Sequence, residues 1–355
     1  MSHNGKATLK SVLANYPLQV KSITPETLKK KKAVWWVSTK DRKFVVKKVP
    51  VTRDRLLFLL SASDHLRKNG VNIPAVIPTS GGSLFAEHNG GIYILMEAVD
   101  VKAPSYTVPD ELALIMREMA RFHRASMKYA PPHGVKVRSH LGNWHKYYGE
   151  MVSDLEGYRE TARRNSQGQF EKLYLSHCDR FINRGKECLA NLEKHPYSNW
   201  VKKVSREINL CHQDFAAGNL GLANGKLYVY DLDSITFDLP ARDIRKIMNK
   251  VMKKRGRWDP VLAARMLGSY QKVNQFSVDE YSVVFIDIMF PYLFHGISSK
   301  YFENREVQWD YGKFVSRLRD MVEVEESKEV LNKKQEEIIK SLVTTERSKR
   351  GGILN

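Results

Sequence analysis

The sequence predicts an α+β protein of two lobes, a small antiparallel β-rich lobe with one helix followed by a large, mainly α-helical lobe. Three observations carry this. Residues 34–49, "VWWVSTKDRKFVVKKV", form two β-rich runs around a polar turn. Pro109, Asp110 and Glu111 make a strong helix start, with Leu112, Ile115, Met116, Met119 and Phe122 following at helical spacing. From Pro240 to about Thr345 nearly every segment repeats that spacing.

The elements between follow in order. Thr52 to Asn69 reads as a helix closed by Gly70, with Pro74 a little beyond. "SLFAEHNGGIYILME" gives two short strands joined at His88-Asn89-Gly90. Helical segments fill 145–195, interrupted near "RNSQGQ", and two more short strands flank Asn224-Gly225. The expected boundaries are a small β-rich lobe at 1–98, a helical lobe at 99–345, and a basic tail at 346–355.

Composition narrows the function classes. With 58 Lys and Arg against 39 Asp and Glu, the net charge of +19 suits anionic partners: nucleic acid, acidic polymer, nucleotide phosphates or an acidic protein surface. Solubility alone would also use that charge. No zinc finger, basic zipper or RRM signature accompanies it, so nucleic acid is not the expected partner. Three cysteines without CxxC spacing make neither a disulfide framework nor a zinc site. The apolar stretch "SVVFIDIMFPYLFHGI" carries Asp287 and Pro291 and is short for a membrane span. We expect a buried helix there, no membrane partner, and a soluble protein in a reducing compartment.

"CHQDFAAGN" poses the chemical question. An isolated His-x-Asp is an ordinary polar turn. Here His212 and Asp214 are followed by Asn219, and Asp231 comes twelve residues later at the end of an apolar strand, "LYVYD". Phosphoryl transfer to a hydroxyl needs a carboxylate to take the proton, oxygens to hold Mg²⁺, and a Lys on the nucleotide phosphates. A hairpin between Asn219 and Asp231 would bring two oxygens to one metal. In "FVVK", Val45 and Lys47 share a strand face, an aliphatic residue for a base and an ammonium for phosphates. After "IYIL", the backbone of Met96 to Val99, Glu97 and Val99 in particular, is placed to pair with an adenine edge.

"HQDFAAGN" followed by "VYDLD" resembles the signatures of the aminoglycoside phosphotransferase and choline kinase superfamily. "LMEAV" resembles its hinge, "REMARFHRAS" its helix ending in a Leu-His-like pair, and "FDLPARDIRKI" the segment after its metal-binding Asp. More narrowly, the chain is similar over nearly its whole length to the CotS family of bacterial spore coat proteins, through "LGNWHKYY", "SITFDLPARDIRKIMNKVM" and "VEESKE". The resemblance implies a protein-kinase-like two-lobed fold and a phosphotransferase using ATP, or another nucleoside triphosphate, with Mg²⁺. Asp214 would be the catalytic base, Asn219 and Asp231 the metal ligands, and Lys47 a phosphate contact. His212 and Asp243 would brace the loop, and Asp233 would be a second metal or substrate contact. It also implies synthesis in the mother-cell cytoplasm, deposition in the spore coat, and coat proteins as partners. The acceptor, a hydroxyl compound or an anionic coat component, is not legible. A non-catalytic coat protein that kept the kinase fold is the alternative.

The sequence departs from the superfamily pattern at three places. The glutamate that usually holds the strand Lys is expected near Leu59, within "LLFLL", where there is no acid. Lys29 to Lys32 stand where a glycine-rich loop is usual, either gripping an anion or forming a solvated turn. Gln213 replaces the commoner Gly. On the helix Ala241 to Lys254, Ala241, Ile244, Ile247, Met248, Val251 and Met252 form the buried face. Arg242, Arg245, Lys246, Lys250 and Lys253 form a basic one, a wet surface or a dock for an anionic acceptor or coat partner. Of Trp35 and Trp36, only one can face the core.

Overall fold

In the computed structural model, which describes residues 3–28, 33–194 and 196–351, the chain divides into two compact units. A β-rich unit comprises Met1–Ser105, Tyr129–Arg138 and Ala216–Ile235, and a helical unit comprises Tyr106–Lys128, Ser139–Phe215 and Thr236–Asn355. Lys29 to Lys32 lie outside the described residues.

In chain order the elements begin with α1 (His3–Leu13), β1 (Ser22–Leu28), β2 (Ala33–Ser38), β3 (Lys43–Val49), α2 (Arg53–Lys68), β4 (Val76–Ile77), β5 (Ala86–His88) and β6 (Gly91–Glu97). Next come α3 (Pro109–Ala125), α4 (Trp144–Arg164), α5 (Gln169–Lys194), α6 (Tyr197–Glu207), β7 (Leu210–Cys211), β8 (Leu220–Ala223), β9 (Lys226–Val229) and β10 (Thr236–Phe237). The chain closes with α7 (Ala241–Arg255), α8 (Pro260–Gln271), α9 (Val278–Met289), α10 (Tyr292–Phe302), α11 (Tyr311–Glu326) and α12 (Lys328–Gly351).

Alternation along β2 and β3 builds the β-rich unit. Its antiparallel sheet runs β1-β2-β3-β6-β4, with β5 also paired to β6. Asn89 and Gly90 both take positive φ, as a two-residue hairpin turn requires. Trp35, Val37, Phe44, Val46 and Leu95 point to one face, where Leu9, Val12 and Leu13 of α1 cover them. The opposite face carries Val45, Lys47, Val49 and Ile94 and packs on Leu56 and Leu60 of α2. Trp35 is therefore the core tryptophan. Trp36 is half-buried on the other face, its Nε1 donating to Glu26 Oε2 at 2.9 Å. Helix α2 starts where expected, with the Thr52 hydroxyl accepting from Arg55 N, and ends against Gly70 at φ +90°. The second helix of this segment, α1, was not in the sequence reading. Its only signal is Leu9, Val12 and Leu13 at helical spacing.

The helical unit explains its own charged residues. "SVVFIDIMFPYLFHGI" becomes α9 and α10, broken at Pro291, and 72% of its most apolar window is buried. Asp287 inside it accepts from Tyr148 Oη and Tyr292 Oη, each at 2.7 Å, and from Arg245 Nε at 3.2 Å. This corrects the reading of α7. Arg245 is buried on Asp287 and Arg242 pairs with buried Asp238, so neither belongs to a wet basic face. In "VEESKE", Lys328 and Glu325 form a fully buried ion pair at 2.8 Å, and Lys328 also donates to Phe290 O at 3.0 Å. The three cysteines are free and buried.

Leu9 is 1% exposed and seals the α1 face of the sheet. Leu9→Ala should cost about 2–4 kcal/mol. Hydrogen exchange should quicken in β2 and β3 while α9 amides stay unchanged.

Candidate functional site

A tight hairpin positions the first two polar groups of the site, both in the β-rich unit. β8 and β9 pair from Leu220↔Val229 to Ala223↔Lys226, turning at Asn224 and Gly225, both at positive φ. Tyr230 N–H donates to Asn219 O at 2.9 Å, so Asn219 and Asp231 flank the hairpin mouth. Two reciprocal backbone bonds, 3.1 and 2.7 Å, tie Leu222 to Lys102. Gly221 is needed there, since a Cβ would lie 2.5 Å from Val101 Cγ2. Asp231 itself sits in the left-handed region at φ 57°, ψ 58°. That conformation costs of order 1 kcal/mol for a non-glycine and is held by its surroundings.

Lys47 supplies much of that hold. Its Nζ lies 3.0 Å from Asp231 Oδ1 and 2.6 Å from Asp233 Oδ1, with the side chain 12% exposed. Arg55 of α2 adds two bonds from Nη2, to Asp233 O at 3.0 Å and Ile235 O at 2.6 Å. The departure near Leu59 is thereby explained. Leu56, Leu59 and Leu60 face the same cavity as Lys47, and the carboxylates that hold Lys47 come from the loop after β9 instead of α2. Asp233, read as a second metal or substrate contact, holds Lys47 here.

The cavity measures about 350 Å³. Val34, Val45, Ile94 and Met96 give it an apolar end, and Lys47, Asn219, Asp231 and Asp233 an ionic end. The chain runs on from Met96 through Glu97, whose N–H donates to Ala75 O at 2.9 Å and whose carboxylate pairs with Arg42 at 3.2 Å. Val99 N–H donates to no group among the described residues.

Asp214 belongs to the helical unit, and the chain passes into the β-rich unit between Phe215 and Ala216. Its loop is built on Asp243, at 1% exposure. Asp243 accepts from His212 N at 2.6 Å and Gln213 N at 2.8 Å, and bonds His123 Nε2 at 3.2 Å. Burial alone would raise this carboxyl. The His123 hydrogen bond and the charges of His123, His212 and Lys246 outweigh it and hold the group below its usual range. His212 is fully buried against Phe122 and Phe215, a brace rather than a reactive group. Gln213, at φ 70°, does more than fill space. Lys246 Nζ donates to its O at 2.6 Å and its Oε1 at 2.9 Å, and Gln213 Nε2 donates to Thr236 Oγ1 at 2.6 Å. Burial, then Arg245 alongside, pushes the Lys246 amine down to about 8. Asp214 is half-exposed and pairs with Lys250.

Sequence reasoning placed Lys246 and Lys250 on a basic face, either a wet surface or a dock for an anionic partner, and passed over Arg55. The available signal was spacing. Lys246 and Lys250 lie three and seven residues after Asp243, on the side of α7 that meets the loop.

The β-rich sheet with α2 and the β8–β9 hairpin, and the helical unit with its braced His-x-Asp loop, define a kinase-like protein of the aminoglycoside phosphotransferase type. Solved structures share the fold. An aminoglycoside phosphotransferase from Alicyclobacillus acidocaldarius subsp. acidocaldarius DSM 446 superposes with a TM-score of 0.76 at 18% identity, covering 95% of each chain. Amicoumacin kinase hAmiN, solved with AMP-PNP and Ca²⁺, superposes at 0.60 with 14% identity, covering 91% of this chain and 96% of its own. A family model described as "Spore coat putative kinase YutH" matches residues 11–335. "Spore coat protein S" of Bacillus subtilis (strain 168) is 31% identical over 331 residues, 93% of this chain and 94% of that protein. The chain belongs to this family of kinase-like spore coat proteins.

Asp243 carries a stability prediction. Its folded pKa is depressed, so its stabilisation is present above the unfolded value of about 4 and is lost as pH falls through the folded value. Asp243→Asn should cost about 2–4 kcal/mol at pH 7 by urea unfolding. The gap to wild type should shrink as pH drops below about 4.

Proposed function

We propose that the chain is a nucleoside triphosphate- and Mg²⁺-dependent phosphotransferase of the spore coat, with ATP the expected donor and a hydroxyl compound the acceptor. The observation that carries this is the Lys47 ammonium held on Asp231 at the ionic end of an otherwise apolar cavity. A base suits the apolar wall, and the backbone of Glu97 and Val99 suits its polar edge. Lys47 suits the phosphates, and the oxygens of Asn219 and Asp231 are the hard donors that Mg²⁺ takes. When bound, the metal would neutralise charge on the phosphates. Asp214 accepts the proton of the acceptor hydroxyl as that oxygen bonds to the γ-phosphorus. The bond from the γ-phosphorus to the bridging oxygen breaks, and the nucleoside diphosphate leaves with the electron pair. Synthesis in the mother cell followed by deposition among other coat proteins fits the relatives' names.

A second reading has its own observation. Helix α2 offers Leu56, Leu59 and Leu60 to the cavity and no acid, so among the described residues the carboxylates on Lys47 are Asp231 and Asp233. On that reading the fold is kept as a non-catalytic coat component. Calorimetric titration of ATP with and without Mg²⁺ separates the two. The phosphotransferase reading expects Mg²⁺-dependent binding that weakens at least tenfold in Asp231→Ala. It also expects Asp214→Asn to keep nucleotide binding while losing transfer by about 10²-fold or more. Absence of nucleotide binding in the unmodified chain would leave the coat-component reading.

A further inference from the structure

Lysines continue down α7 from the loop toward a second cavity in the helical unit. Lys246 holds Gln213, and Lys250 pairs with Asp214. Lys253 stands about 4.5 Å further along the axis at ~1.5 Å per residue. It lines a cavity of about 900 Å³ bounded by the end of α7, α10, Trp309 and α11. Five basic side chains, Lys253, Lys254, Arg255, Lys300 and Arg317, face it against two acidic ones, Asp320 and Glu323.

The basic excess is only partly neutralised. Arg317 pairs with Asp320 at 3.3 Å, Lys300 with Glu306 at 2.7 Å, and Arg255 with Asp259 at 3.7 Å. Among the described residues no carboxylate pairs with Lys253 or Lys254. Withdrawal from solvent, then the charges of Lys300, Arg317 and Lys250, lower the pKa of Lys253. Gathering like charges costs free energy that a bound anion would recover. Trp309 offers little stacking surface, because Lys300 Nζ and Lys313 Nζ lie 4.9 and 4.5 Å from its ring centroid. Lys253 and Lys254, set in a wall that includes Ile297, Met321 and Val324, are the groups left to meet an anion.

We propose that this cavity binds a phosphate group carried by the acceptor, so that the acceptor is a phosphorylated sugar or polyol rather than a neutral or cationic one. A phosphate near pH 7 brings close to two charges and three acceptor oxygens, enough for ammonium and guanidinium groups from three helices at once. The word acceptor rests on the phosphotransfer reading; phosphate binding by the cavity does not.

Calorimetry on the full chain tests it, with glucose 6-phosphate as probe and glucose as neutral control. The expected result is saturable binding of glucose 6-phosphate and none of glucose. Affinity should fall at least tenfold in Lys253→Gln/Arg317→Gln and recover largely in Lys253→Arg/Arg317→Lys. The charge-matched variant Lys172→Gln/Lys202→Gln, on surface outside the cavity, should bind as wild type does. Equal loss in both Gln variants would mean diffuse charge and overturn the proposal, as would no binding to wild type. Tighter binding of hexaglutamate, with the same dependence on Lys253 and Arg317, would overturn it in favour of an acidic protein partner. Asp231→Ala should leave glucose 6-phosphate binding unchanged. If ATP with Mg²⁺ fails to bind while glucose 6-phosphate binds as expected, the phosphotransfer reading falls and the cavity stands as a phosphate site.

Discussion

An ammonium wedged between two carboxylates organises the β-rich unit. Lys47, 12% exposed, has lost most of its water, and Asp231 and Asp233 replace it. Asp231 and Asp233 stay 32% and 21% exposed, so removing one of them should cost less than the about 3–5 kcal/mol of a fully buried pair. The contact also fixes geometry. It pins a left-handed Asp231 beside Asn219 and joins strand β3 to the loop after β9. Arg55 holds the same loop from α2 by its backbone oxygens. The strand lysine is thus held by carboxylates of the loop after β9 rather than by an acid on α2.

The helical unit solves a different problem by related means. Its loop must hold Asp214 half-exposed while turning through Gln213 at positive φ. Buried Asp243 does this by accepting two consecutive backbone N–H groups and a bond with His123, which in turn bonds Tyr270 Oη at 2.7 Å. Lys246 and Lys250 complete the cage from α7. A solvated basic face would do none of this.

Local features of both units were legible in the sequence. Alternation in "FVVK" put Val45 and Lys47 on one face, Asn224-Gly225 announced the hairpin, and the hairpin brought Asn219 to Asp231. Long-range pairing was not legible. The carboxylates that hold Lys47 lie 184 and 186 residues away, and the partner that buries Arg245 lies 42 away. Charge pattern alone reads such residues as solvent-facing, because a helix wheel shows where a side chain points and not what meets it. Helix α1 escaped for another reason: Leu9, Val12 and Leu13 alone make too short an apolar pattern to set a helical period.

On the phosphotransferase reading, Asp231 would serve either Lys47 or a metal, with nucleotide phosphates deciding which by drawing Lys47 away. Electron paramagnetic resonance of Mn²⁺, titrated with and without AMP-PNP, tests it directly. Mn²⁺ should bind at least tenfold tighter with nucleotide, and a Lys47→Met variant should bind Mn²⁺ more tightly than wild type when nucleotide is absent. Mn²⁺ affinity indifferent to both nucleotide and Lys47 would contradict it.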